Sequence, residues 1–221
     1  MPRTARASQG GICYHVLNRG NHRDQTFLDS ADYEAFVDLI RRACDRIDMR
    51  VLGYCLMPNH FHLALWPYGD GDLGRWMQWL LTSHVRRHNR KYDITGRVWQ
   101  GRFKAFPVKN DEHLTAVLRY IERNPLRANL ISRARDWSWS SLRWWRAANR
   151  PSFLYPSESV SNSDWPKLVD QPQSEKELAA LRLCVRRGQP YGDDLWVNQI
   201  AKALRLESTL RPIGRPQKPQ P

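Results

Sequence analysis

RVLGYCLMPNHFHLALW, residues 50–66, decides the fold. Two short apolar runs, Arg50 to Met57 and His60 to Trp66, are separated by Pro58-Asn59, a turn-forming dipeptide. They read as two strands of an antiparallel pair. The wider stretch from Val51 to Gly69 carries no Lys, Arg, Asp or Glu, and its length would suit a membrane span. Pro58, Asn59, His60, His62 and Pro67 interrupt it, so buried strands are the expectation and no membrane association is.

Working outward, Tyr14 to Leu17 reads as a short strand and Asn18-Arg19-Gly20-Asn21 as the turn after it. Tyr33, Phe36, Val37, Ile40, Cys44 and Ile47 recur at helical spacing and predict a helix over Asp32 to Asp48. Gly69 to Gly74 reads as a loop. Leu73, Trp76, Met77, Leu80, Leu81, His84 and Val85 then mark an amphipathic helix that ends in the basic run Arg86 to Lys91. Val98 to Val108 reads as extended, with Arg102 and Lys104 flanking Phe103. Asp111 to Asn124 reads as a third helix, with Leu114, Val117, Leu118 and Ile121 on one face and Pro125 breaking or kinking it. This order predicts an α+β fold: a ferredoxin-like antiparallel sheet with helices packed on one face.

The predicted domain is residues 1–150. Composition shifts after Asn129, and Trp137 to Trp145 is rich in Trp, Ser and Arg. Pro151 to Gln173 is rich in Ser and Pro and reads as a linker or surface loop. A C-terminal helical extension over 174–206 opens on the capping-box pattern Ser174-Glu175-Lys176-Glu177. Its second helix, from about Asp194 to Leu206, is expected to turn Trp196, Ile200, Ala203 and Leu204 inward. Residues 207–221 read as an extended basic tail.

The chain has 221 residues, 41% of them hydrophobic, enough for one sizeable core. A net charge of +13, with Arg interleaved among ten Trp, points to nucleic acid: guanidinium groups pair with phosphates, and aromatic faces suit unpaired bases. Cys13, Cys44, Cys55 and Cys184 form no C-x-x-C pair, which disfavours a zinc ribbon and reads as reduced thiols in the cytosol. Met1 to Gly10 is polar and basic, unlike a signal peptide.

On a strand, His60 and His62 project to one face while Phe61 points to the other. Two imidazoles side by side form either a two-point metal grip or an ordinary hydrogen-bonded pair. Tyr120 and Asn124, four apart on a helix, share a stripe bordering its apolar face. Each taken singly is a core-edge aromatic and a helix cap. Together, two imidazoles and a carboxamide would hold a divalent ion, Mg²⁺ or Mn²⁺, with positions left open for a phosphate oxygen and water. Tyr120 would then be the nucleophile, since a nearby cation favours the phenolate of a group that otherwise ionises near pH ~10. His84 and His88 lack the Glu of a zinc-protease motif and read as structural or DNA-facing. His113 lies on the Tyr120 stripe, and the roles of His15 and His22 stay open.

The segments Tyr14–Gly20, Tyr54–Leu63, Trp99–Lys104 and Arg119–Ala128 stand in an order and spacing that resemble the Y1-type HUH transposases of the IS200 class, and among them the REP-associated tyrosine transposases of bacteria. The resemblance covers about residues 10–135. It implies a ferredoxin-like fold, His60, His62 and Asn124 as metal ligands, and Tyr120 as nucleophile. It further implies cleavage and joining of single-stranded DNA through a 5′-phosphotyrosine link. The implied substrates are hairpins of repetitive extragenic palindromes (REP) with a short tetranucleotide at the stem foot. Asn18, Arg19, Arg102 and Lys104 are the expected DNA contacts in the domain. Arg211, Arg215 and Lys218 are those of the tail, where Gly214-Arg215-Pro216 resembles a minor-groove AT-hook core. A cytoplasmic, nucleoid-associated monomer or homodimer is implied. The alternative is a non-catalytic hairpin DNA- or RNA-binding protein that keeps the fold.

Overall fold

The computed structural model describes residues 8–145, 147–161 and 164–211. The elements of its sheet-forming part run β1 (Cys13–Arg19), α1 (Ser30–Cys44), β2 (Met49–Met57), β3 (His60–Pro67), α2 (Asp72–Tyr92), β4 (Lys104–Val108) and α3 (Glu112–Glu122). The strands form one antiparallel sheet in the order β2-β3-β1-β4, the ferredoxin-like arrangement. Met57 pairs with His60, so Pro58-Asn59 is the two-residue turn of a β2–β3 hairpin. Asp29 and Asp111 cap α1 and α3 by accepting from the amides of Asp32 and His113.

Alternate residues of each strand feed two cores. Tyr14, Val16, Phe61, Leu63 and Leu65 pack under α1 and α2 with Phe36, Ile40, Trp76 and Leu80. Cys13, Cys55, Met57, Ala64, Phe106 and Val108 pack under α3 with Leu114, Val117, Leu118 and Ile121. The expectation of helices on a single face is therefore corrected: α3 takes the opposite face from α1 and α2. The strands are apolar on both sides, so both faces need cover. At the register shift between Val51 and Gly53, a Cβ on Gly53 would stand 2.8 Å from Leu118 Cδ2 and 3.3 Å from Ser141 Oγ. Only glycine lets α3 and the Ser141 turn approach β2 this closely.

Other boundaries differ from expectation. Asn18 and Arg19 continue β1, and the tight turn falls at Asn21–Arg23. Residues 98–103 form a loop, because Trp99 and Phe103 plug the α1/α2 core; Trp99 makes a single bridge to Gly20 past the end of β1, and the continuous strand is Lys104–Val108. The helix carrying Tyr120 ends at Glu122, and a short helix α4 (Asn124–Arg127) restarts with Pro125 near its beginning.

The segment 151–173 is not merely a surface loop. It contains α5 (Glu158–Ser161) and α6 (Trp165–Asp170), and Trp165 and Val169 are buried in the α3-side core. Proline and serine content hid two apolar anchors. The C-terminal helices are α7 (Glu175–Arg187), α8 (Asp194–Ala203) and α9 (Glu207–Leu210), and Ser174 caps α7 as its sequence pattern predicts. Tyr191 exchanges backbone hydrogen bonds with Pro107 and Lys109, both 2.9 Å, and so covers part of the free edge of β4. On α8 it is Ala201 that is buried; Ala203 is exposed and Trp196, Ile200 and Leu204 are half-buried, so this short helix turns only a narrow strip inward.

Candidate functional site

The site is assembled where the β3 N-terminus meets α3. His60 and His62 project toward α3, while Phe61 is buried against Phe36 and Trp99 on the other side. His62 Nδ1 lies 2.8 Å from Nε2 of His15 on β1, a buried pair. His60 Nδ1 lies 2.7 Å from Asn59 Oδ1. Each histidine thus has its Nδ1 engaged, which orients the ring and leaves Nε2 as the nitrogen for a ligand.

Burial, then the charges of Arg19 and Arg127, pull His60 down to about 4. Burial, then His15, His60, Arg127 and Arg19, hold His62 well below the usual imidazole range. Both rings are neutral near pH ~7, the state that binds metal.

Tyr120 and Asn124 reach this pair from above. The Tyr120 ring is perpendicular to that of His62, centroids 5.9 Å apart, and 6.0 Å from that of His15. Asn124 is buried at the start of α4, near enough to His60 to act on its protonation. The chain breaks at Arg123 and restarts as α4, and Arg127 lays its guanidinium over the Tyr120 ring, 4.0 Å from the centroid. All four residues expected at the centre are therefore brought together. The donor set, two neutral imidazole nitrogens and a carboxamide, fits a divalent ion.

Two residues of this site had no role assigned from sequence. His15 is diagonal to His62 across the β1–β3 ladder, in which it faces Ala64 directly. Arg127 lies within the Arg119–Ala128 motif, but its approach to Tyr120 depends on the helix break. His113 instead bonds Asp111 Oδ1 at 2.7 Å and packs on Tyr191, outside the site. Asp111, Glu112 and His113 bring two carboxylates and an imidazole within 4.8 Å of one another. Lys109 already neutralises Asp111 there, at 3.0 Å. His84 sits among Phe27, Phe36 and Trp99 and is structural.

Of the expected DNA contacts, Arg19 is exposed at the end of β1, opposite His60. Asn18 is buried; its Nδ2 donates to the Gly101 carbonyl (3.1 Å) and its Oδ1 accepts from the Arg19 amide (2.9 Å), tying loop 98–103 to the strand end. Arg102 is exposed and lines a groove of 920 Å³ between α2 and residues 96–103, with Arg86 and Arg97 on its walls. Lys104 is exposed at the start of β4. Arg211 is exposed after α9, where its carbonyl accepts from Arg187, and no contact joins it to Tyr120 among the described residues. Arg215 and Lys218 lie outside the described residues.

A ferredoxin-like sheet that presents a His-x-His pair to a helix tyrosine is the layout implied for a tyrosine transposase. The family model described as "Transposase IS200 like" matches residues 8–124, more than half of the chain, and the chain belongs to that family. Within the family it is similar to the REP-associated group. A Haemophilus influenzae protein named "Putative REP-associated tyrosine transposase" is 25% identical over 169 residues, covering 71% of this chain and 92% of that one. A solved structure of a REP-associated tyrosine transposase bound to a REP hairpin superposes with a TM-score of 0.57 at 18% identity, covering 74% of this chain and 96% of that chain, a likeness of fold. No helix among the described residues is long and apolar enough to cross a membrane.

Proposed function

We propose that the protein cleaves and rejoins single-stranded DNA at REP-type hairpins, with Tyr120 as nucleophile and with His60, His62 and Asn124 as ligands of Mg²⁺ or Mn²⁺. The observation that carries this reading is the convergence of Tyr120 and Asn124 on two neutral histidines whose Nδ1 atoms are already engaged. The ion, when bound, would supply Lewis-acid polarisation of the scissile phosphate.

The chain's own groups do the rest. The phenol oxygen of Tyr120 attacks phosphorus, the bond to the 3′ oxygen breaks, and a 5′-phosphotyrosine ester forms. The phenol gives up its proton and the departing 3′ oxygen takes one, so protons balance. Attack of a 3′-hydroxyl on the ester reverses the sequence and joins a strand without ATP. Arg127, stacked on the Tyr120 ring, places its positive charge where it would face the charge that develops on the phosphate. Arg19, with Arg102 and Lys104 at the neighbouring loop and strand, would lead the strand backbone to the site, and Asn18 holds that loop in place. Arg211, Arg215 and Lys218 would add contacts from the tail. The relatives' REP hairpin is the reason to name that substrate class, and a DNA-handling role places the protein in the cytoplasm with the nucleoid.

The test is incubation with hairpin-bearing single-stranded DNA and Mn²⁺ or Mg²⁺, read on a denaturing gel. A covalent protein–DNA adduct that disappears in Tyr120→Phe and with chelator is expected. Hairpin binding with no adduct under either metal would favour the non-catalytic alternative.

A further inference from the structure

We infer that Glu122 is a positioning residue: it locks the helix bearing Tyr120 against the segment 134–171 and so sets where Tyr120 and Asn124 stand. The inference rests on the reading of Tyr120 as nucleophile. Glu122 is fully buried on α3, two residues from each of these groups. Its Oε1 accepts from Ser141 Oγ (2.5 Å) and Trp145 Nε1 (2.7 Å), and its Oε2 from Trp165 Nε1 (2.7 Å). Ser141 Oγ also accepts from the Tyr54 amide at 2.9 Å, which ties the same point to β2.

The flanking arginines repeat the pattern. Arg119 donates to the carbonyls of Leu168 and Gln171, both at 3.2 Å, and Arg123 to those of Val169 and Asp170. Both thereby cap the C-terminal end of α6 with positive charge. At about 100° per residue, Arg119 and Glu122 lie on one side of α3 and Tyr120 on another, and Arg123 and Asn124 follow just past the end of the helix. One side faces the histidines and the other is held from behind.

A carboxylate is costly to bury, and apolar side chains would fill the same space. What apolar contacts do not provide is direction. Two indole N–H groups and a hydroxyl, fixed on two separate parts of the chain, the turn 141–145 and α6, accept only one rotation and one height of α3. A displacement of about 1 Å at a reacting group can cost about 10²-fold in rate. The Trp-rich and Ser/Pro-rich segments after Asn129 therefore complete the catalytic helix.

The test compares wild type, Glu122→Gln, Trp165→Phe and the double variant, all in the full chain. Glu122→Gln keeps volume but turns an amide N–H toward the Trp165 N–H; Trp165→Phe removes that opposing donor. We expect Glu122→Gln to slow adduct formation at saturating hairpin by about tenfold or more, with hairpin and Mn²⁺ affinities changed less than about threefold, and the double variant to recover part of the rate. Wild-type rate in Glu122→Gln overturns the inference, as does a loss of both affinities in step with rate. If Glu122→Gln fails to fold, Trp165→Phe alone decides: a slower rate at unchanged affinity supports the inference, and a wild-type rate overturns it. A readout independent of catalysis is 3-fluorotyrosine placed at position 120. Its ¹⁹F resonance should shift or broaden in Glu122→Gln and Trp165→Phe; an unmoved resonance in both sinks the clamp. If wild type forms no adduct at all, the nuclease reading fails, and the ¹⁹F result still judges the clamp.

Discussion

The two faces of the sheet are made from alternate residues of the same strands, yet they serve different ends. Under α1 and α2 the strands contribute Tyr14, Val16, Phe61, Leu63 and Leu65, an almost wholly apolar layer. Under α3 the same strands contribute, among apolar residues such as Cys55, Ala64 and Phe106, the buried His15 and His62 and the half-buried His60, with Glu122 fully buried nearby on the helix. Phe61 stands between His60 and His62 and points the other way. A strand's period of two thus lets one tripeptide contribute packing on one face and chemistry on the other. Buried polar groups cost stability unless partnered, so the α3 face depends on specific pairs where the α1/α2 face depends on volume.

The largest expected effect is on the packing face. Phe61→Ala should cost about 3–5 kcal/mol of stability by denaturant titration, because it opens a cavity among Phe36, Trp99 and the sheet. A loss below about 1 kcal/mol would mean that the two faces do not divide their work in this way.

On the polar face the sharper probe is His15→Leu, similar in size but without the hydrogen bond to His62 Nδ1. It should weaken Mn²⁺ binding about 10–100-fold by calorimetric titration, as loss of an orienting partner does at other metal sites. Unchanged affinity would show that His62 needs no such partner.

The smallest effect separates the faces by pH. His84 is a buried histidine of the packing face; burial first, then His88 and Arg87, pull it down to about 3 against the opposing charge of Asp32, and neither ring nitrogen has a hydrogen-bond partner among the described residues. The unfolded chain takes up a proton on this residue below pH ~6.5, while the folded chain resists until about 3. Its contribution is therefore full above pH ~6.5 and is lost as pH falls. In His84→Leu, stability should fall with acidification less steeply than in wild type, by up to about 1.4 kcal/mol per pH unit well below pH ~6.5. Parallel pH profiles would exclude His84 as the source. His15, His60 and His62 are common to both proteins and cancel.

Much of this arrangement was legible from residue order. The β2–β3 hairpin follows from Pro58-Asn59 between two apolar runs and the shared face of His60 and His62 from a period of two, whereas Tyr120 and Asn124, expected on one helix, stand on two, because α3 ends at Glu122. What was hidden depends on how elements meet. The His15–His62 pair needs the β1–β3 register, which no single strand encodes. The side of the sheet taken by α3 was hidden because both strand faces are apolar. Trp165 lies in a Ser- and Pro-rich stretch whose composition reads as loop, and its burial under α3 and its bond to Glu122 appear only in the folded chain. Arg127 reaches Tyr120 because the helix breaks at Arg123; Pro125 announced the break but not its direction.

The central claim is that the hydroxyl of Tyr120 becomes covalently bonded to DNA. The most direct measurement is proteolysis of the trapped adduct followed by nuclease trimming and mass spectrometry of the modified peptide. The account predicts a residual nucleotide 5′-phosphate on the peptide containing Tyr120, with fragment ions assigning it to that residue. The same mass on another residue, or an unmodified Tyr120 peptide from an authentic adduct, would contradict it.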